Sequence, residues 1–528
     1  MNRLLVTFVV LALICRGKCT TLAYPIVDVG YATYRGVYNS TLQVNDYFGI
    51  PYAEPPVGAL RWHEPVPYGL PANSSVVFNA TVPGRICVQG VPAWSTNIPP
   101  VDSGSEDCLL LNIIQPANTT KHARLPVVVS IHGGGYTVGN ADIAQQYVLM
   151  RHSHNAFISV SIQYRLGAYG FLGSSKYSRE GGSPNLGLLD QRLALDWVQK
   201  HISAFGGDPD KVTIVGGSAG GGSVTSQMIM HGGAENPPFR AVMAQFPWWQ
   251  QYLREEQLST QFTLLLSATN CTSLSCLRIV PEDDLKAASQ STYATAYANG
   301  EYGYGHFYYG PYVDGEVIQD LPSKEFRAGH FTKVPTFVDR AIYEGIVFTN
   351  RSITTKEEET KDLETQFPYA NDSFIEQVYD LYAPEGTNST FWQRQAWFGD
   401  YTINCPTYYI ASSVAAFGQP IWKSVFAAGS QTHGAIGSYL SDLRYDSTPG
   451  ANATLANLIR DAYGSFLIHN DPNAQSWSAV GKPAWPDYNV NSQLFAFNYT
   501  EFGVEKDARY DRDERCEFFW NNGETIQN

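Results

Sequence analysis

Beyond residue 19 the chain has no unbroken run of about 20 apolar residues, the length a membrane-spanning helix needs. The tail, NNGETIQN, is polar and carries no lipid-anchor signal. Positive charge is scarce: 35 Lys and Arg face 49 Asp and Glu, for a net charge of -14. Such an acidic balance argues against nucleic acid and anionic membranes as partners. There is no CxxC pair and no His/Cys cluster of the kind that holds zinc. Internal repeats and low-complexity linkers are also missing. Neither a metal nor an organic cofactor is expected.

One apolar run does exist, at the start. MNRLLVTFVVLALICRGKC opens with Arg3, and Leu4 to Cys15 are almost wholly apolar. That length suits a signal-peptide core rather than a membrane span, with cleavage near Cys19. A secreted protein then meets an oxidising compartment. Six cysteines remain after cleavage: Cys87, Cys108, Cys271, Cys276, Cys405 and Cys516. The even number allows three bridges, and spacing alone leaves the pairing open. Ten N-x-S/T sequons lie at Asn39, Asn73, Asn79, Asn118, Asn270, Asn350, Asn371, Asn388, Asn452 and Asn498, which predicts a surface-glycosylated chain.

Several short apolar runs read as buried parallel strands: Pro126–His132, the region Asn155 to Tyr164, Lys211–Gly217, Ala241–Phe246, Val334–Val338 and Lys423–Gly429. Between them lie helical patterns such as Leu186–Phe205, with apolar residues at three and four spacing. Strand and helix in alternation predict an α/β fold around a mostly parallel sheet. The stretch TYATAYANGEYGYGHFYYGPY suits an aromatic packing layer and a pocket wall equally well.

The segment VTIVGGSAGGGSV sets five glycines around Ser218. Gly216-Gly217-Ser218-Ala219-Gly220 matches G-x-S-x-G, follows a strand and precedes a helix, which is the setting of a nucleophile elbow. So tight a turn strains Ser218, and glycines on either side leave room for the backbone. A glycine-rich turn without chemistry gives the same local pattern. Upstream, His132-Gly133-Gly134-Gly135 closes another strand, and a triple glycine can present consecutive N–H groups to an oxyanion. No Gly-Lys-Ser/Thr follows, which disfavours a phosphate loop. Among eleven histidines, His433 is singled out by its place after an apolar strand in VFAAGSQTHGAIG. Both Glu344 and Asp339, in VPTFVDRAIYEGIVF, are available as the acid behind it. The order serine, acid, histidine is that of α/β-hydrolases.

Together these residues resemble the type-B carboxylesterase/lipase family, which includes cholinesterases and secreted fungal lipases. FGIPYAEPPVGALRW (Phe48–Trp62) and SEDCLLLNI (Ser105–Ile113) look like its two signatures, and YRLGAYGFL, NLGLLDQRLALDWVQ, GPYVDGEVI, YEG and THG follow in order. The resemblance implies one large α/β-hydrolase domain from residue 20 to 528 with its site in a gorge. It implies Ser218 as nucleophile, Glu344 as acid and His433 as base, with Gly134, Gly135 and Ala219 giving the oxyanion-hole N–H groups. It also implies the pairs Cys87–Cys108, Cys271–Cys276 and Cys405–Cys516, and buried ion pairs Arg61–Glu106 and Arg165–Asp190.

Three positions depart from the family. Gly217 stands where a glutamate usually precedes the serine, Gln245-Phe246-Pro247 replaces Gln-Ser-Gly, and Asp339 replaces a glycine. Gly217 predicts an empty volume beside Ser218, with Trp248 and Trp249 as apolar surface nearby. Trp94 lies in the loop where cholinesterases place a cation-binding tryptophan, at a different offset from the second cysteine. The expected function is a secreted serine ester hydrolase acting on small neutral esters. A lipase, an acyltransferase or condensing enzyme, and a non-catalytic adhesion protein on the same fold remain alternatives. Oligomeric state is not readable.

Overall fold

The computed structural model describes residues 24–69, 76–95, 104–387, 389–447, 451–499 and 502–528. The signal segment, Asn73 and Asn388 lie outside them. Eleven strands form the main sheet: β1 (Val37–Asn39), β2 (Val44–Pro51), β3 (Leu110–Pro116), β4 (Leu125–Ile131), β5 (Ile158–Ile162), β6 (Gly207–Gly217), β7 (Ala241–Gln245), β8 (Thr336–Ala341), β9 (Ile421–Phe426), β10 (Gln493–Phe497) and β11 (Gly503–Lys506). Their spatial order is β1-β2-β3-β5-β4-β6-β7-β8-β9-β10-β11. The seven strands from β5 to β10 run parallel, and the strands at both edges are antiparallel. Three short strands at Ile26–Asp28, Thr33–Arg35 and Val77–Asn79 form a separate small sheet.

The parallel strands coincide with the apolar runs, shifted by a few residues. Successive side chains on a strand point to opposite faces, and both faces here are covered. Val127, Val129, Ile214, Val242 and Val338 pack in one core with α1 (Leu186–His201), α2 (Ala219–Ile229) and α3 (Cys405–Ala416). Val128, Val215, Met243 and Phe337 pack in another with α4 (Ala451–His469) through Leu455, Ile459, Ala462 and Phe466. That double cover is why these strands read as continuous apolar runs rather than as alternation. The tyrosine-rich stretch forms a packing layer: Tyr293, Tyr302, Tyr308 and Tyr309 stack or meet edge-on with centroids 4.9 to 6.3 Å apart.

Charges inside the fold are matched. Arg61 donates Nε and Nη2 to Glu106, and Arg165 does the same to Asp190 at 2.8 and 2.7 Å. Both pairs are buried and bidentate, the geometry in which guanidinium and carboxylate meet best. A third cluster carried no local signature. Lys423, fully buried in central strand β9, donates to Asp507 at 2.8 Å and Asp511 at 2.6 Å, and Asp511 also accepts from Arg340 of β8. It fastens the C-terminal segment to the sheet. None of the eight described sequon asparagines is buried.

The bridges are Cys87–Cys108, Cys271–Cys276 and Cys405–Cys516. The last spans 111 residues and ties α3 to the C-terminal helix Glu514–Asn521. Replacing Cys405 and Cys516 together by alanine is expected to lower the unfolding free energy by about 4–5 kcal/mol, the loop-closure entropy for a loop this long. Equilibrium denaturation in urea measures it; an unchanged midpoint would contradict the assignment.

Candidate active site

β6 ends at Gly217 and α2 begins at Ala219, so Ser218 alone makes the turn. It takes φ 60° and ψ -127°, a conformation that side-chain-bearing residues adopt only under constraint. The surrounding glycines show why. A Cβ on Gly216 would lie 2.4 Å from the Gly220 carbonyl, and one on Gly220 would lie 2.2 Å from the carbonyl oxygen of Ile131. Strand, helix and the neighbouring strand β4 therefore touch backbone to backbone. The Ser218 N–H donates to the Gln245 carbonyl at 3.1 Å, pinning the turn to the end of β7.

The parallel register brings the loops after β8 and β9 to the same edge of the sheet. Glu344 follows β8, is fully buried, and accepts from the Ala341 N–H at 2.5 Å through Oε1. Its Oε2 lies 2.5 Å from His433 Nδ1. His433 Nε2 in turn lies 3.0 Å from Ser218 Oγ. The Tyr343 N–H donates to the Gln431 carbonyl at 2.8 Å, so the two loops are joined one residue before the acid and two before the histidine. The chain Ser218–His433–Glu344 is thus continuous, with Glu344 and not Asp339 behind the imidazole.

Gly134 and Gly135 turn beside the serine with φ 110° and 62°. A Cβ on Gly134 would lie 2.1 Å from the Val138 carbonyl oxygen, and one on Gly135 would lie 2.2 Å from the Phe307 ring. Their N–H groups donate to no group among the described residues. Ala219 is the first residue of α2, and its N–H is one that a helix leaves without an internal partner. His132, in the same loop, is buried and stacks on Tyr164 at 4.4 Å. Burial pulls its pKa down to about 4, so it is neutral and donates from Nδ1 to the Gly133 carbonyl.

Aromatic rings surround His433. Phe246 and Phe348 lie edge-on to it at 5.0 Å, and Trp248 at 6.4 Å. Trp94 joins this group through Phe348 and Phe307, and its indole N–H donates to the His306 carbonyl. Among the described residues no cluster of His, Cys, Asp or Glu is arranged to hold a metal ion. No helix among them is long and apolar enough to cross a membrane.

A profile of the carboxylesterase family matches residues 23–519. The chain belongs to the carboxylesterase family. It is 29% identical to "Carboxylesterase patB" of Penicillium expansum, over 94% of this chain and 95% of that one. It is 31% identical to a secreted lipase of Arthroderma benhamiae, over 92% and 88%. The structure of Aspergillus niger EstA superposes with a TM-score of 0.82 at 26% identity, covering 96% of this chain and 99% of that one. This carboxylesterase fold is an α/β-hydrolase, and the chain is a carboxylic ester hydrolase. The three bridges fit an extracellular protein.

Two expectations from the sequence need correction. The volume beside Gly217 is not empty: a Cβ there would lie 2.6 Å from the tip of the Phe246 ring. Trp249 does not face the site; it packs on Phe326 and Tyr409 and donates to Thr225. Phe246 and Phe348 leave no sign in the sequence that they neighbour the histidine, because their positions depend on strand register and not on local pattern.

Asp339 has a different place. Its Oδ1 accepts from the Phe246 N–H at 2.9 Å and its Oδ2 from the Tyr463 hydroxyl at 2.5 Å. Burial pushes its carboxyl up to about 7; the two hydrogen bonds oppose this and the Glu344 charge adds to it. With the folded value above the ordinary aspartate value of 3.8, the folded state binds the proton more tightly. Its contribution to stability is therefore full below about pH 4 and falls as pH rises towards 7. Thermal melts of Asp339→Asn and the parent are expected to shift in the variant's favour over that window, then run parallel above it. A constant offset from pH 4 to 8 would contradict the buried, proton-holding carboxyl.

Proposed function

We propose that this protein is a secreted serine carboxylesterase that cleaves small neutral esters through an acyl-enzyme on Ser218. The observation that carries the reading is the unbroken chain from Glu344 Oε2 through His433 to Ser218 Oγ, at 2.5 and 3.0 Å. His433 Nε2 takes the hydroxyl proton as Ser218 Oγ attacks the ester carbonyl. Glu344 accepts from Nδ1, fixes that tautomer and stabilises the imidazolium. The N–H groups of Gly134, Gly135 and Ala219 receive the oxyanion. The tetrahedral adduct collapses, the C–O bond to the alcohol breaks, and the imidazolium returns its proton to the leaving oxygen. Water then attacks the acyl-enzyme by the same route and releases the acid and free Ser218.

Secretion rests on residues 1–19 as a cleaved signal peptide, on the bridges, and on the unburied sequons as glycan sites. The continuous sheet, with strands from Val37 to Lys506, supports reading residues 20–528 as a single domain. Neutral substrates are favoured because Gly217 brings no side-chain charge beside Ser218, while Glu344 is occupied by His433. The rings near the triad are aromatic and uncharged: Phe348 and Trp248 meet His433, and Phe307 and Trp94 pack on them.

Ser218→Ala and His433→Ala are each expected to lower kcat for a neutral p-nitrophenyl ester by roughly four orders of magnitude, without adding in the double variant. Glu344→Gln is expected to be severe and Asp339→Asn mild. A near-normal Ser218→Ala enzyme would overturn the mechanism. For specificity, kcat/KM is compared on acetylthiocholine and on a neutral thioester of equal leaving-group size. The neutral ester is expected to be preferred; a preference of about tenfold for the cation, near 1.4 kcal/mol, would refute the neutral-ester assignment and point to Trp94 as a cation site.

A further inference from the structure

Phe246 follows β7 and carries φ +32°, an unfavourable value for a residue with a side chain. Its N–H holds that conformation by donating to both the carbonyl and the Oδ1 of Asp339, at 2.7 and 2.9 Å. Asp339 is itself fixed by the Tyr463 hydroxyl from α4. The result aims the ring back over the end of β6. There it takes the space that a side chain on residue 217 would need, 2.6 Å from the Cβ position of Gly217. Its edge meets the His433 imidazole at 5.0 Å and 77° between planes.

The ring also lines a cavity of about 250 Å³, together with Gly133, Gly217 and Leu440 among others. Phe246 lines that volume and also meets His433, which does not line it. Strained backbone persists only where surrounding structure imposes it, and it concentrates where placement matters. Here the imposed placement is a ring against an imidazole that must keep a 3.0 Å contact to Ser218.

We propose that Phe246 is a positioning residue for His433, and that residue 217 is a glycine because the Phe246 ring occupies its side-chain space. Asp339 belongs to the same device, as the group that holds the Phe246 backbone. The inference rests on His433 acting as the base in the reaction proposed above. Failure of that reaction scheme would show separately, as activity surviving in His433→Ala.

The test uses the full-length secreted protein, a neutral p-nitrophenyl ester and thermal melts. Phe246→Ala is expected to lower kcat by about ten- to a hundredfold, the scale of a small misplacement of a catalytic group. KM should stay within about twofold, because ground-state binding is untouched. Phe246→Leu, which keeps bulk beside the imidazole, should recover most of kcat. Gly217→Ala should lower kcat while Phe246 is present, since the added methyl displaces the ring. In Gly217→Ala/Phe246→Ala the loss should be no greater than in Phe246→Ala alone. A purely structural ring would lower the melting temperature and leave kcat within about twofold, which would overturn the proposal. A harmless Gly217→Ala, or single losses that multiply in the double variant, would overturn it as well. Should Phe246→Ala fail to fold, Phe246→Leu and Gly217→Ala decide alone: the proposal requires the first to retain kcat and the second to lose it.

Discussion

Everything at this site depends on one backbone conformation, the φ 60°, ψ -127° turn of Ser218. It lets an 11-residue strand hand over to a helix across a single residue, so the hydroxyl stands at the edge of the sheet and the helix N-terminus points at the same place. The turn survives because its surroundings leave it no alternative. Backbone contacts from Gly216, Gly220 and Ile131 exclude side chains on both sides, and the Ser218 N–H is bonded to β7. The parallel strands β8 and β9, both beyond β7 on the same side of β6, then carry the acid and histidine loops to the same edge. The order of strands in the sheet, not proximity in sequence, brings residues 218, 344 and 433 together.

A strained turn can be supported in more than one way, and this chain departs from its family in how it does so. A glutamate before the serine and a serine after the next strand give way to Gly217 and Phe246, and a glycine gives way to Asp339. The three changes are one arrangement in space. Asp339 holds Phe246 in an unfavourable backbone conformation, and Phe246 fills the room that Gly217 leaves. Here an aromatic ring packs against the histidine. Packing of this kind has little tolerance for volume change, since close-packed interiors relax only in part.

How much of this could be read beforehand divides along the range of the interactions. Six of the seven parallel strands were visible as apolar runs because both faces of the sheet are covered; β10 was not among them. Ser218 and the Gly133–Gly135 loop were visible because tight turns and close backbone approach leave a glycine signature in adjacent residues. The acid remained open between Glu344 and Asp339 on pattern alone, since both sit at the end of the same strand; the resemblance to the family favoured Glu344, and the turn at Ala341 is what sends its carboxylate to His433. The Lys423–Asp507–Asp511–Arg340 cluster left no trace, because its members are spread over 171 residues and each looks like an ordinary surface charge. The supposed void at Gly217 was wrong for the same reason: its occupant comes from another strand. Edge strands such as β1 and β11, at 3 and 4 residues, are too short to stand out from loops.

The most direct test of the account is covalent trapping with a neutral alkyl fluorophosphonate, in which a serine oxygen bonds phosphorus and fluoride leaves. Intact-mass and peptide analysis of the deglycosylated protein read the result. The account predicts one adduct per chain, on Ser218, with loss of esterase activity in proportion to labelling and no adduct in His433→Ala on the same timescale. Stoichiometric labelling of a different residue, or full activity in protein whose Ser218 is labelled, would contradict it.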